Sequence, residues 1–164
     1  MNLLAITPQS LKTLYDKLQA RPLGHFLFNL TLKIAIPYSG TINAHVIELQ
    51  PGWAKVRLPD RRRVRNHLNS IHAVALTNLG ELTSGLALNM ALPQNTRGIV
   101  TCLTTDFFKK ARGDLIATCR CTLPTIETHT NFAVVAEIYD AKQTCVAKTT
   151  VHWRLSPIID KNTP

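Results

Sequence analysis

The sequence is poor in acidic residues and lacks the motifs of several large enzyme classes. Ten Asp and Glu stand against nineteen Lys and Arg in 164 residues, which gives a formal net charge of +9. There is no G-x-x-x-x-G-K-S/T, G-x-G-x-x-G or G-x-S-x-G, so nucleotide hydrolysis, Rossmann-type redox chemistry and serine-hydrolase chemistry have no support. The six histidines include no H-E-x-x-H, and we expect neither a metal site nor a resident cofactor.

Disulfides, a membrane span and a secretory leader are not indicated either. The apolar stretch Ala73–Leu92 has the length of a span, but Glu81 lies at its centre, where a charge is costly in lipid. The first residues show no basic segment followed by a small-residue cleavage site. We therefore expect a cytoplasmic protein without a transmembrane segment. Its four cysteines form no C-x-x-C pair and are expected to be reduced core residues: Cys102, Cys119, Cys121 and Cys145.

The surplus of positive charge favours a polyanionic partner. Composition alone does not distinguish nucleic acid, an anionic membrane and a small phosphorylated molecule. Seven of the nineteen basic residues fall in two runs, Arg61–Arg65 and Lys109–Arg112. Aromatic residues do not alternate with the arginines, and no helical segment has a basic face, so we expect no specific nucleic-acid partner.

The first forty residues predict a helical extension. Thr7 and Pro8 have the residue types of an N-cap and a first helical position. Four apolar residues then recur at helical spacing: Leu11, Leu14, Tyr15 and Leu18. A second helix is predicted by the same spacing in a further set: Leu23, Phe26, Leu27, Leu30 and Ile34. We assign residues 1–36 to this N-terminal extension.

Period-two alternation then replaces the helical spacing. Residues 45–49 and 53–58 flank Gln50-Pro51-Gly52 and predict a β-hairpin. A polar loop leads to a long helix over about 71–92. One stripe of this helix is apolar: Ala75, Leu79, Leu82, Leu86 and Met90. A second stripe is polar or small and surrounds Glu81: Thr77, Asn78, Ser84 and Gly85. Because the helix carries no other charge, we expect other elements to wrap it.

Four predicted strands follow Pro93. They cover residues 98–108, 114–123, 131–140 and 144–155. The short links between them predict an antiparallel meander. The order of elements is satisfied by an α+β hotdog fold, in which a curved antiparallel sheet wraps a long central helix. We expect a single hotdog domain over 1–164 with its core at 41–155.

The segment from Arg65 to Leu82 resembles the active-site segment of hotdog acyl-CoA thioesterases of the phenylacetyl-CoA type. Those enzymes place an Asn six residues before a His at the start of the central helix, and a carboxylate nine residues after that His. Asn66, His72 and Glu81 match both spacings. The chain is still more similar to a bacterial hotdog family known only as a domain of unknown function. That similarity runs from Pro37-Tyr38 through R-x-x-R-N-H to K-K-A-R-G-D at 109–114.

The resemblance implies hydrolysis of an acyl-CoA thioester, with coenzyme A as part of the substrate. Glu81 would be the general base, and His72 and Asn66 would complete the catalytic set. The free amides at the helix start, those of Ala73 and Val74, would bind the oxyanion. The coenzyme A phosphates would be held by basic side chains: Arg61, Arg62, Arg63, Lys109, Lys110 and Arg112. The acyl pocket would include a mostly polar set: Asn69, Thr77, Asn78, Ser84 and Gly85.

Two features of the motif affect the mechanism. The thioesterases usually carry His-Gly-Gly and often Asp, whereas this chain has His72-Ala73-Val74 and Glu81. Nine residues of helix also separate His72 from Glu81 by roughly 13 Å. They cannot act on one atom within one chain, so we expect a homodimer, or a dimer of dimers, with its site between subunits.

Two other functions remain open at this stage. The missing glycines favour a non-catalytic protein that binds acyl-CoA or another acyl thioester. A hotdog dehydratase or hydratase is the further alternative, because that chemistry uses a His and an acid that His72 and Glu81 would supply across a dimer.

Overall fold

The computed structural model describes residues 7–158. Its helices are α1 (Pro8–Gln19), α2 (Gly24–Ala35), α3 (Pro37–Gly40) and α4 (Ala73–Ala91), with one 3-10 turn at Arg62–Val64. Its strands are β1 (His45–Gln50), β2 (Trp53–Leu58), β3 (Thr96–Phe107), β4 (Leu115–Arg120), β5 (Thr130–Tyr139) and β6 (Cys145–Pro157). The two N-terminal helices lie within the predicted extension, and α4 matches the predicted central helix.

The six strands form one antiparallel sheet in the order β1-β2-β4-β5-β6-β3. Helix α4 contacts every strand of this sheet, so the sheet wraps it. Leu79, Ala87 and Leu88 of α4 are fully buried in one apolar cluster with residues from both ends of the sheet, such as Val56 and Val151. The structure therefore confirms the hotdog fold that the periodicity predicts.

The position of β3 differs from the predicted meander. Only β4, β5 and β6 follow one another as neighbours, while β3 pairs with the far side of β6 and forms an edge of the sheet. Its link to β4 passes the turn between β5 and β6, where the amide of Phe108 donates to the Val146 carbonyl at 2.9 Å. Seven residues, 108–114, suffice for this crossing because three strand spacings are about 14 Å.

Helices α1 and α2 bury their apolar residues to different extents. Helix α1 begins with a capping box between Thr7 and Ser10, and it buries Leu11 and Tyr15 as predicted. Helix α2 instead buries Gly24, Phe28 and Leu32. The apolar residues whose spacing predicts the helix are the ones that it exposes: Leu23, Phe26, Leu27, Leu30 and Ile34.

One side chain of α2 hydrogen-bonds to the backbone of the edge strand β1. The carboxamide oxygen of Asn29 accepts the amide of Val46 at 2.6 Å, and its nitrogen donates to the Val46 carbonyl at 3.2 Å. Asn29 thus satisfies both backbone groups of Val46 on this edge strand. At the opposite edge of the sheet, β3 has no neighbouring strand beyond it within residues 7–158.

The cysteines are free but are not all core residues. Cys119 is buried, Cys121 and Cys145 are half-buried, and Cys102 is exposed. The core prediction is therefore wrong for Cys102, which lies on the open strand β3. Across the described part of the chain, no helix is long and apolar enough to cross a membrane.

Candidate active site

The first turn of α4 is capped by the side chain of His72. The Nδ1 atom of His72 accepts the amide of Val74 at 3.1 Å. The amide of Val74, predicted to bind an oxyanion, is therefore already engaged. The neighbouring amide of Ala73 has no acceptor within residues 7–158, and Ala73 is exposed. The helix start thus keeps a donor with the partial positive charge of a helix N-terminus.

The loop before α4 is organised around Asn66. Its carboxamide oxygen accepts the amides of Leu68 and Ser70, at 3.0 and 3.2 Å, and the Ser70 hydroxyl at 3.2 Å. Asn69, which has a left-handed φ of +54°, accepts a hydrogen bond from Arg65 Nη1 at 3.0 Å. These bonds fix the carboxamide oxygen of Asn66 inside the loop and leave its nitrogen available as a donor.

Glu81 lies in the middle of α4, two and a half turns beyond the helix start. Its carboxylate has no ion pair and accepts no side-chain or loop hydrogen bond from the described residues. Burial raises the pKa of this carboxyl above its ordinary value, and no nearby cation opposes the shift. A carboxylate held in this way is a stronger base than an exposed one, as general-base chemistry near neutral pH requires.

Gly85 and Trp153 lie beside the Glu81 carboxylate. A Cβ at Gly85 would be 3.6 Å from Cη2 of Trp153 and 3.9 Å from Oε1 of Glu81. The indole nitrogen of Trp153 is buried and has no acceptor within residues 7–158. The half-buried Glu81 carboxylate and the edge of the Trp153 ring thus both adjoin Gly85. The sequence alone does not reveal the indole donor, because a residue pattern does not show which polar atoms lack partners.

The predicted polar pocket on α4 is only partly assembled. The hydroxyl of Thr77 donates to the Ala73 carbonyl at 3.1 Å, and that of Ser84 donates to the Glu81 carbonyl at 2.9 Å. Both donors are used within their own helix, and Ser84 is fully buried. Asn78 makes a long contact of 3.5 Å with the Tyr38 carbonyl. Gly85 adjoins Glu81, whereas Asn69 is exposed on the loop before the helix start.

The two basic runs meet beside the start of α4. The amide of Ile71 donates to the Ala111 carbonyl at 2.8 Å, directly before the His72 cap. The amide of Gly113 donates to Asp60 Oδ2, and the amide of Asp60 donates to Asp114 Oδ1, both at 2.9 Å. The segments that carry Arg61–Arg65 and Lys109–Arg112 are therefore joined, although about fifty residues separate them in sequence.

Some of these basic side chains are already engaged. Arg61 donates to the carbonyls of Ile42 and Asn43, at 2.6 and 3.1 Å, so its guanidinium links the loop to the end of the helical extension. Lys109 lies 3.6 Å from Asp140. Four cations near the helix start are exposed and form no ion pair with any described residue: Arg62, Arg63, Lys110 and Arg112. Residues 7–158 contain no cluster of His, Cys, Asp and Glu that would hold a metal ion.

A cavity of about 260 Å³ lies between α2, α3 and β1. Its floor reaches Leu82 of α4, the residue that follows Glu81. The other lining residues come from the extension and the first strand: Phe26, Asn29, Leu30, Leu32, Lys33, Ile36, Ser39, Gly40, Asn43, Ala44, His45 and Val46. None of them belongs to the predicted acyl pocket. Helix α2 has more apolar residues than its buried face uses. This surplus is the sequence signal that could have indicated an apolar cavity beside α2.

The curved antiparallel sheet around α4 defines a hotdog-fold protein. Residues 24–155 match the family described as a domain of unknown function, DUF4442, and the chain belongs to that family. The similarity to an uncharacterised hotdog family predicted from the sequence is therefore confirmed. The matched region starts at α2, so it includes the second N-terminal helix and leaves out α1. No curated protein matches this sequence.

Solved structures show the same architecture. A structural-genomics crystal structure is 27% identical and covers 90% of this chain and 98% of its own, with a TM-score of 0.78. A Pseudomonas aeruginosa protein described as a probable thioesterase is 21% identical over 80% of this chain and 95% of its own, with a TM-score of 0.73. A hypothetical thioesterase from Streptococcus pneumoniae, solved with coenzyme A, is 16% identical over 70% and 89%, with a TM-score of 0.60. At these identities the last two support the fold alone.

Proposed function

We propose that this protein hydrolyses acyl-CoA thioesters at a site shared by two copies of the chain. The observation that carries the proposal is the Glu81 carboxylate, which is half-buried on the central helix of a hotdog fold without a cation or hydrogen-bond donor beside it. Burial of an unpaired carboxylate is costly for the folded protein. A general base for water is the use that matches its raised pKa and its neighbours.

In this mechanism Glu81 takes a proton from water while the water oxygen attacks the thioester carbonyl carbon. The carbon–sulfur bond then breaks, and the proton passes from Glu81 to the departing coenzyme A sulfur. The water would occupy the space at Gly85, where an added Cβ would lie 3.9 Å from Glu81 Oε1 and 3.6 Å from the edge of the Trp153 ring.

The oxyanion requires donors that Glu81 cannot reach within its own chain. Because α4 is continuous from Ala73 to Ala91, the helix start and Glu81 remain roughly 13 Å apart. A second copy, turned so that its helix start faces Glu81, would bring the Ala73 amide and the Asn66 carboxamide nitrogen to the carbonyl oxygen. The exposed apolar side chains on the open edge strand β3 support this dimer: Ile99, Leu103 and Phe107.

The coenzyme A portion would lie across the joined basic segments. Arg62, Arg63, Lys110 and Arg112 have no acidic partner among the described residues, so each is available to a phosphate. Arg61 is the exception, since its guanidinium binds backbone carbonyls. The similarly folded Streptococcus pneumoniae protein solved with coenzyme A adds indirect support for this class of ligand.

The direct test is Glu81→Gln, which keeps the side-chain shape and removes the base. Release of coenzyme A thiol from a panel of acyl-CoAs should fall by about 100-fold or more in this variant. Glu127→Gln, at an exposed loop position outside the site, removes the same charge and is the control. Hydrolysis at an unchanged rate in Glu81→Gln would remove Glu81 from the mechanism.

A second candidate is a protein that binds acyl-CoA without cleaving it. The observation in its favour is the His72 cap, which occupies the Val74 amide and so reduces the number of oxyanion donors. Calorimetric titration that finds acyl-CoA binding, together with no thiol release by any acyl-CoA of the panel, would select this function. The same cap weakens the hydratase alternative, because His72 Nδ1 accepts a backbone amide and is not available as a base.

A further inference from the structure

The cavity between α2 and β1 has a wall whose larger polar side chains are already engaged. Asn29 uses its carboxamide on both backbone groups of Val46. The ammonium group of Lys33, an exposed residue, donates to Asn43 Oδ1 at 3.1 Å. Burial, followed by the nearby cations of Arg61 and Arg57, lowers the pKa of His45, so its imidazole is neutral at neutral pH. Apart from Lys33 at its exposed rim, the wall therefore offers little to an ionic or strongly polar ligand.

The remaining surface of the cavity is apolar and is continuous with the outside of the molecule. Leu32 and Val46 are buried parts of the wall, and Ile36 is half-buried. Phe26 and Leu30 line the cavity while keeping 64% and 44% of their surface exposed. An apolar path thus runs from the interior of the cavity onto the exposed face of α2. A compact ligand would not need such a path, but an extended one would follow it.

The cavity reaches the central helix α4 at the residue that follows Glu81. Leu82 closes the cavity, and Glu81 precedes it on α4, so the two side chains leave the helix about 100° apart. One turn earlier, Asn78 contacts the Tyr38 carbonyl and places α3 against the same side of α4. The cavity and Glu81 are therefore neighbours along α4, and an acyl chain that starts at Glu81 would have to turn around the helix surface to enter the cavity.

We infer that the cavity binds the acyl part of the substrate and selects linear aliphatic chains. This inference rests on the proposed function, because it places the thioester at Glu81 and the chain beneath α2. Burial of each methylene is worth about 0.8 kcal/mol, so the length of the chain that fits dominates selectivity. The N-terminal helix α2 is then a wall of the substrate site, in agreement with its inclusion in the family match.

The test places a larger side chain in the cavity from α2 and compares it with the same substitution at a matched position outside the cavity. Leu30 and Leu27 are both 44% exposed on the same helix, but only Leu30 lines the cavity. Leu30→Trp should lower kcat/KM for dodecanoyl-CoA by about tenfold or more and change that for acetyl-CoA by less than about twofold. Leu27→Trp should leave kcat/KM unchanged for both substrates. Ala44→Leu, which adds volume from the opposite wall, should repeat the Leu30→Trp result.

Two outcomes would overturn the inference. One is equal loss on short and long acyl-CoAs in Leu30→Trp. The other is a change in oligomeric state, by light scattering, in Leu30→Trp and Leu27→Trp alike, which would assign the α2 face to contact between copies. Thermal unfolding of each variant separates these results from a failure to fold.

A binding measurement keeps the pocket testable if hydrolysis itself is not found. A fluorescent fatty acid, such as a dansylated undecanoic acid, should bind the unsubstituted protein and Leu27→Trp and bind Leu30→Trp about tenfold more weakly. Absence of thiol release with this binding pattern would reject the proposed hydrolysis and retain the pocket. Equal binding by all three proteins would reject the pocket, whatever the outcome for hydrolysis.

Discussion

The first turn and the middle of α4 differ in electrostatic character. The first turn is exposed, carries an unused amide at Ala73 and lies beside two joined basic segments. The middle is surrounded by apolar and small residues, and its Glu81 carboxylate has no cation near it. One part of the helix thus attracts negative charge, while the other holds a base whose charged form is disfavoured.

Neither part forms a catalytic site by itself. The first turn can stabilise an oxyanion but holds no base, because His72 Nδ1 is used as a cap. The middle holds a carboxylate, but no described residue donates a side-chain or loop hydrogen bond there that could bind a thioester carbonyl. Their separation along a rigid helix means that only the complementary parts of two helices would complete the site.

Separating the two copies should have the largest effect on activity. Leu103 is 40% exposed on the open edge strand β3, and Leu103→Asp would place like charges across a symmetric interface. We expect a monomer with at least about 100-fold less thioesterase activity. Ile47→Asp is the matched control, since Ile47 is 37% exposed on β1 at the other edge. Light scattering and thiol release are measured together, and a fully active monomer would refute the shared site.

Filling the space beside Glu81 should have the next largest effect. In Gly85→Ala the new methyl group meets its neighbours at ordinary contact distances, the shortest being 3.6 Å, so the fold should be kept. Ala also favours the helix by about 1 kcal/mol, and the variant should unfold at an equal or higher temperature. It would nevertheless occupy the proposed water position and lower kcat by about tenfold or more.

Gly80→Ala supplies the contrast to this variant. A Cβ at Gly80 would collide with the buried Thr149 side chain, so this substitution should destabilise the fold. Thermal unfolding and steady-state kinetics of the two variants therefore distinguish a lost water position from lost packing. An unchanged kcat in Gly85→Ala would contradict the proposed position of the water.

Removing cations beside the first turn should have a moderate and substrate-dependent effect. The double substitution Arg62→Ala and Arg63→Ala should raise KM for an acyl-CoA by about tenfold and leave KM for the corresponding acyl-pantetheine unchanged. Lys12→Ala with Lys17→Ala removes the same charge from α1 and serves as control. Equal effects on both substrates, or equal effects of both double variants, would argue against phosphate recognition.

The sequence predicts the fold well because apolar periodicity records burial. An uncharged helix such as 73–91 has to be wrapped, and alternating segments have to form the sheet that wraps it. The neighbour of β3 could not be predicted, because a seven-residue link does not specify which strand it reaches. The exposure of the apolar stripe on α2 could not be predicted for a related reason. The helix is apolar on more than one face, and the spacing of apolar residues does not show which face is buried.

The site is less predictable than the fold because it depends on single hydrogen bonds between distant residues. Asn66 and Glu81 match a motif, but nothing in the motif indicates that His72 Nδ1 turns back to Val74. The guanidinium of Arg61 binds carbonyls about twenty residues earlier in the chain, which removes it from a run of apparently equivalent arginines. The unpartnered indole of Trp153 likewise depends on the complete tertiary structure.

The smallest expected effect concerns stability and tests the middle of α4 without any substrate. Because burial raises the folded-state pKa of Glu81 above its unfolded value, the folded protein binds more protons between the two values. Stability therefore falls as pH rises through that window, and the cost of ionising Glu81 is complete above it. Glu81→Gln lacks this cost, so its Tm should exceed that of the unsubstituted protein at neutral pH.

The two Tm values should converge below pH about 4, where Glu81 is protonated in both states. Thermal unfolding of the two proteins, followed by circular dichroism at a series of pH values, measures this difference in Tm. The comparison is informative because other carboxyls shift in the opposite direction: hydrogen bonds from Arg65 and Gly113 lower the pKa of Asp60. Those groups are present in both proteins, and their contribution cancels in the difference. A Tm difference that is independent of pH would mean that Glu81 is not desolvated, and the base assigned to the middle of α4 would lose its physical foundation.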